Sequence, residues 1–164
     1  MTIARTLDDA CAALAADPTA TVLAGGTDLM VQVNRGDHSI DNVVVIDRVP
    51  ELRGWTREGD VLRIGAGMTY ADMADPGFGA LVPALGQAAR TVGSPQIRAT
   101  GTIGGNLATA SPAGDMLPVR AALDAVVELR SSNGERHLPL DEFVVGVKVN
   151  ALSAGELIVA VRVP

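Results

Sequence analysis

Apolar positions along this chain change period every few residues, and the changes mark its elements. Thr6 reads as the cap of a helix whose first turn carries Asp8 and Asp9. The Ala-rich run 7–16 continues that helix until Asp17-Pro18 stops it. Thr21-Val22-Leu23-Ala24 is a short apolar block of the kind a buried strand makes, and Gly25-Gly26 breaks it. From Thr27 to Arg35, Leu29, Met30 and Val33 recur at helical spacing, and Gly36-Asp37 ends the run. Val43 to Asp47 is a β-branched strand. A strand, a helix and a second strand in such quick succession predict a βαβ unit with a parallel pair.

The pattern then turns polar through residues 48–58, which read as a connection carrying Pro50, Gly54 and Trp55. Val61 to Gly67 alternates as a half-buried strand, and Thr69 caps a short helix over 70–75 that Asp75-Pro76-Gly77 terminates. Residues 80–92 have a helical apolar face with Pro83 in the first turn. Residues 93–115, rich in Gly, Ser, Thr and Pro, lose all periodicity, and an irregular stretch of that length in a compact domain is usually functional. A short helix is expected over 116–124. A hairpin follows from 125–130 and 135–138 around Ser131-Ser132-Asn133-Gly134, with Asn-Gly supplying positive φ, and Leu157 to Val163 closes the chain as a strand. Two lobes result: a small parallel βαβ lobe over about 1–50, and a larger α+β lobe with a mixed or antiparallel sheet over about 56–164.

Composition narrows what such a domain can do. The 164 residues suit one domain able to bury roughly 70% of its unfolded surface. Trp55, Tyr70, Phe78 and Phe143 are the only aromatic residues, so a planar ligand must be held mainly by backbone and aliphatic contacts. A net charge of −6 argues against a nucleic-acid partner, although backbone N–H groups can still hold one anion. Cys11 is the single cysteine, which leaves no internal disulfide and no cysteine set for zinc or iron–sulfur. Arg5, Asp8 and Asp9 interrupt the N-terminus, no apolar run suits a bilayer, and a soluble cytoplasmic protein is expected.

Two Gly-Gly segments carry the chemistry. Ala24-Gly25-Gly26-Thr27-Asp28-Leu29 sits between a strand and a helix, where close backbone approach and unpaired N–H groups suit a pyrophosphate. It is neither the Rossmann fingerprint nor a Walker A loop, and taken alone it is equally an ordinary βα turn, with Asp28 capping the helix or pointing away. Thr102-Ile103-Gly104-Gly105-Asn106 adds hydroxyl and amide groups beside two more glycines, and Ser111-Pro112-Ala113-Gly114-Asp115 ends in a carboxylate suited to a ribose or adenine contact. That segment alone is equally a loop stitched by its own Asx and Ser/Thr turns. Taken together, the two segments and the Asp are most simply explained by a dinucleotide. Valine at Gly25 or Gly105 is then expected to abolish binding with less effect on folding.

At these residues the chain resembles the FAD-binding subunits of the xanthine dehydrogenase and carbon monoxide dehydrogenase family, over essentially its whole length. The motifs are Ala-Gly-Gly-Thr-Asp-Leu at 24–29, Thr-Ile-Gly-Gly-Asn-Leu at 102–107 and Gly-Glu-Leu-Ile at 155–158. The resemblance implies a two-lobed α+β FAD-binding domain of the p-cresol methylhydroxylase and vanillyl-alcohol oxidase type. It implies that the backbone of Val22, Leu23, Ala24, Gly25, Gly26, Thr27, Asp28 and Leu29 wraps the FAD pyrophosphate. Thr102, Ile103, Gly104, Gly105 and Asn106 would make further phosphate and ribityl contacts. Asp115 would bind toward the adenosine end, Ile158 would touch the flavin, and Ser111 is a weaker candidate. His38 and His137 read as surface residues, so the flavin is expected to be non-covalent.

The implied partners are an iron–sulfur small subunit with two 2Fe–2S clusters and a large subunit with the molybdenum cofactor. The flavin would reduce NAD, oxygen or a quinone. No acid–base residue is assigned on this chain, and Asp72 and Glu142 read as solvated charges. Subunits of this family continue into a C-terminal α/β domain that lends a basic residue, and that domain is expected to be missing here. Two other readings compete: a self-contained flavin oxidoreductase of the same fold, and a non-redox module that binds a nucleotide or a partner.

Overall fold

In the computed structural model, which describes residues 1–164 except 38–39, 112–115, 117–118, 120 and 122, the last strand is the most deeply covered. β10 (Leu157–Val163) exposes little but Arg162, because apolar side chains alternate onto a core on one face while ion pairs cover the other. It is the centre of a five-stranded antiparallel sheet. β5 (Val61–Gly65) and β4 (Trp55–Glu58) lie to one side of it, and β6 (Val126–Ser131) and β7 (Gly134–Pro139) to the other. The register pairs Val161 with both Ile64 and Val127, which stacks three buried aliphatics across adjacent strands. On the opposite face Glu128 takes a two-pronged bond from Arg63 and lies 3.6 Å from Arg162, which also reaches Glu58.

The smaller sheet is parallel and three-stranded. Its order is β1 (Thr2–Ile3), β3 (Val43–Val45), β2 (Thr21–Leu23), with α2 (Leu29–Arg35) crossing from β2 to β3. The βαβ unit read from the sequence is present, while β1 is an addition too short to carry a period. α1 (Leu7–Ala16) begins at a capping box in which Thr6 Oγ1 accepts from the Asp9 N–H and Asp9 Oδ2 accepts from the Thr6 N–H. Its buried face of Leu7, Ala10, Cys11 and Leu14 packs on β3 and β6, so one hydrophobic core runs under both sheets.

Five short helices follow β5, and here the structure departs most from the expected pattern. α3 (Tyr70–Ala74) starts at a second capping box formed by Thr69 and Asp72, so Asp72, exposed as expected, also serves as a helix cap. The helix expected over 80–92 is two helices, α4 (Pro76–Leu81) and α5 (Pro83–Thr91), because the residue before a proline is driven extended and Val82 is extended. The aperiodic segment 93–115 holds α6 (Pro95–Thr100), capped by Ser94, and α7 (Ile103–Thr109), capped by Thr102. The caps of α3 and α7 meet in an antiparallel bridge between Thr69 and Thr102, which sets the two helix starts side by side.

Residues 55–58, read as part of a connection, are the edge strand β4. In the 131–134 turn only Gly134 takes positive φ, and Asn133 does not. Four of the nine residues of the helix expected over 116–124 lie outside the described residues. Beyond the β6–β7 hairpin, α8 (Leu140–Phe143) and a small hairpin of β8 (Val144–Gly146) and β9 (Val149–Asn150) complete the described fold. The larger sheet is antiparallel throughout. Among the described residues no helix is long and apolar enough to cross a membrane.

Candidate functional site

The strand β2 delivers the chain into a loop that needs glycine twice, for different reasons. Gly26 holds φ +70, where a side chain is strained. Gly25 has ordinary φ, but a Cβ there would sit 1.8 Å from the carbonyl oxygen of Thr100 at the end of α6. The first Gly-Gly segment therefore lies backbone to backbone on the chain that leads into the second. Past Gly25 the N–H groups of Gly25, Gly26, Thr27, Asp28 and Leu29 find no acceptor among the described residues, and the first helical bond runs from the Met30 N–H to Gly26 O at 3.0 Å. Five consecutive unmatched donors on one loop form a concave, electropositive backbone surface.

The second segment is built the opposite way. It is no loop but the cap and first turn of α7, and its donors are used up. The Ile103 N–H donates to Met68 O (3.0 Å), the Gly104 N–H to Ala66 O (2.8 Å), the Gly105 N–H to Thr102 Oγ1 (3.1 Å) and the Asn106 N–H to Thr102 O (3.1 Å). Gly104 is a packing glycine, since a Cβ there would lie 2.7 Å from that of Ala66. Gly105 is different: outside its own helix backbone, the one close neighbour of a Cβ added there is Thr102 Oγ1 at 3.1 Å, a side-chain atom and not backbone. This segment brings Gly105 to the cleft wall and leaves anion binding to the first loop.

A cleft of about 610 Å³ opens between them. Every residue from Val22 to Leu29 lines it, as do Thr102, Gly104, Gly105, Asn106, Ser111 and Ile158. Ile103 does not, because its side chain is fully buried in the core. Asp115 and His38 lie outside the described residues, and His137 is exposed on β7. Asp28 makes no side-chain cap to α2. Its carboxylate instead accepts from Gln32 Nε2 (2.5 Å) and Thr109 Oγ1 (3.5 Å), tying α2 to the far end of α7. The expectation that valine at Gly25 would act at the ligand is overturned, since the clash there is with Thr100.

Of the lining residues that went unassigned in the sequence, Tyr70, Glu156, Gln32 and Lys148 bear most on the site. Tyr70 is the only aromatic residue among the described lining, and its ring packs against Gly101. Glu156 lines the cleft just before Ile158 and is gripped by Arg136 through bonds of 2.6 and 2.7 Å and by the Ser153 N–H at 2.7 Å. The Arg136 fork holds the Glu156 carboxyl below the usual carboxylate range. Arg136 also donates to Ala151 O, so this buckle fixes the segment that presents Ile158. Gln32 and Lys148 complete the set. Tyr70 stood out in the sequence only as one of four aromatic residues and Glu156 only within the 155–158 motif, and the signal that Lys148 offers is that it is the single lysine of the chain.

Residues 1–164 match the family described as the FAD binding domain in molybdopterin dehydrogenase. The chain is 40% identical over 149 residues to the nicotinate dehydrogenase FAD-subunit of Eubacterium barkeri, covering 88% of this chain and 50% of that protein. It is 35% identical over 163 residues to the xanthine dehydrogenase FAD-binding subunit of Escherichia coli O157:H7, covering 98% and 56%. A solved carbon monoxide dehydrogenase from Hydrogenophaga pseudoflava superposes with a TM-score of 0.94 at 33% identity, over 99% of this chain and 57% of that one. The chain thus spans about half the length of the relatives it matches.

Proposed function

The chain belongs to the family of FAD-binding domains in molybdopterin dehydrogenases, and on that premise we propose that it holds one non-covalent FAD in this cleft and relays electrons within a molybdenum hydroxylase. The observation that carries the reading is the row of five N–H groups from Gly25 to Leu29, unmatched among the described residues, in a cleft that Gly105 also lines. A pyrophosphate needs donors without competing acceptors, and an extended dinucleotide needs a wall without side chains. Residues 1–164 would form the whole binding domain, with one lobe over about 1–50 and the other over about 56–164.

In this reading the backbone of Val22 to Leu29 binds the pyrophosphate. The surface at Thr102, Gly105 and Asn106 lets the ribityl and phosphate portion approach, and Ile158 lies against the flavin, held in place by the Arg136–Glu156 buckle. Asp115 and Ser111 are assigned to the adenosine end. FAD supplies the redox chemistry, and the protein's part is to bind, orient and shield it. No side chain of this chain is assigned a proton transfer. Electrons would arrive from the iron–sulfur clusters of a small subunit, fed by a large subunit that carries the molybdenum cofactor, and would leave to NAD, oxygen or a quinone.

The test is the visible absorption of the purified protein, with acid release of any flavin, followed by titration with FAD under fluorescence. A released flavin spectrum or saturable one-to-one binding supports the reading. A protein that neither carries nor binds FAD refutes it and leaves the non-redox module. Reduction of bound flavin by a small organic substrate without partner subunits would favour the self-contained oxidoreductase.

A further inference from the structure

Three described residues that line the cleft carry charge: Asp28, Glu156 and Lys148. Both carboxylates are already engaged, Asp28 by Gln32 and Thr109, and Glu156 by Arg136. Lys148 has no side-chain partner among the described residues, although it is exposed and the chain carries a net charge of −6. Among the described residues, a pyrophosphate would thus meet two committed carboxylates and one uncommitted cation.

The position of that cation is tightly held. Lys148 lies in the β8–β9 turn at φ 56, a conformation that disfavours any residue with a side chain. Its N–H donates to the carbonyl of Ala110 (3.0 Å), itself left-handed at φ 45 at the end of α7. Asn150 Nδ2 donates to Ala108 O (2.7 Å) and clamps the same turn to the same helix. Two strained non-glycine residues bonded to each other are a device for holding one geometry. Thr109, the neighbour of Ala110, touches Asp28 at the mouth of the N–H loop. The flexible stem of Lys148 therefore starts beside the loop whose donors are unmatched.

Resting on the FAD reading above, we propose that Lys148 is the phosphate counter-charge of the site, the residue through which the cleft selects phosphorylated flavin over riboflavin. The loop donors set direction and close contact, and Lys148 supplies the net positive charge that backbone amides lack.

The experiment compares the protein with Lys148→Met and Lys148→Arg, titrating each with FAD and with riboflavin at low and high salt. All three should melt alike, because position 148 is exposed and keeps a non-glycine residue. The methionine variant should bind FAD about tenfold more weakly at low salt, the loss expected for one charge-assisted bond, and should lose much of the salt dependence. The arginine variant should stay within about threefold of the parent, and riboflavin should bind parent and variants equally. Unchanged FAD affinity and salt slope in Lys148→Met overturns this assignment and leaves the FAD reading standing. An equal loss for riboflavin also overturns it, since the residue would then act on the ring. A parent protein that does not bind FAD brings down both.

Discussion

At the scale of single residues, the four glycines of the two motifs divide by what lies against them. Gly25 and Gly104 face protein backbone at 1.8 Å from Thr100 O and 2.8 Å from Ala66 O, Gly26 holds positive φ, and Gly105 meets only the Thr102 hydroxyl, at 3.1 Å. Gly25→Ala should therefore destabilise the fold by on the order of 3 kcal/mol, as overpacking against an immovable backbone does, seen as a lower denaturant midpoint. Gly105→Val should lower that midpoint less, because its close neighbour is the Thr102 hydroxyl at 3.1 Å and not backbone, and should weaken FAD at least tenfold in a fluorescence titration. Equal stability for the two variants would reverse their assignment. Sequence reasoning treated Gly25 and Gly105 alike because a glycine announces a close neighbour without saying whether it is ligand or protein. The neighbour of Gly25 is 75 residues away in the chain, and no local pattern carries that information. Lys148 was legible only as a solitary lysine, since its placement depends on a strained turn and on the end of α7.

At the scale of elements, what the sequence made readable was length. α1, the βαβ unit and the β6–β7 hairpin hold their period over enough residues to register, and α1 and α3 announce themselves with Thr caps and an Asp three residues on. α6 and α7 have six and seven residues, under two turns, and their Ser94 and Thr102 caps are camouflaged among other Gly, Ser and Thr. Thr102 is the cap on which the second motif rests, because its hydroxyl and carbonyl take the Gly105 and Asn106 N–H groups. Thr102→Val should cost about 1 kcal/mol, the usual value of a lost N-cap, and should also loosen FAD by unseating α7. A variant with parental stability and affinity would show that the Met68 and Ala66 carbonyls alone hold the turn.

The sheet behind the site depends on one carboxylate. Burial pushes the Glu128 carboxyl up, the Arg63 fork more than reverses this, and its pKa lies below the usual range. A lowered folded-state pKa makes this contribution fully present above the unfolded value, about 4.3, and lost as pH falls through the folded one. Glu128→Ala should destabilise by about 3 kcal/mol at neutral pH, because it leaves Arg63 without its partner, while Arg162 keeps Glu58. Unfolding curves of parent and variant should converge as the pH drops below about 4. A difference independent of pH would mean that lost packing, and not the ion pair, carries the effect.

At the scale of the molecule, the cleft exists only in the folded chain. Its unmatched donors come from the segment after β2, Gly105 from α7, Lys148 from the β8–β9 turn and Ile158 from β10, and a single core ties these together. The unfolded chain brings none of them together, so FAD should bind the native state alone and shift the folding equilibrium by mass action. At free FAD of a hundred times Kd the gain is about 2.7 kcal/mol, which for a domain of this size corresponds to a rise in melting temperature of roughly 5–10 °C. Riboflavin at the same concentration should raise it far less, because it engages neither the N–H loop nor Lys148. A thermal melt with FAD, riboflavin and ADP in parallel separates the contributions. A rise with ADP near half that with FAD places the anchoring on the Gly25–Leu29 loop. Equal rises with riboflavin and FAD would place it on the aliphatic wall around Ile158 and remove the pyrophosphate from its proposed seat.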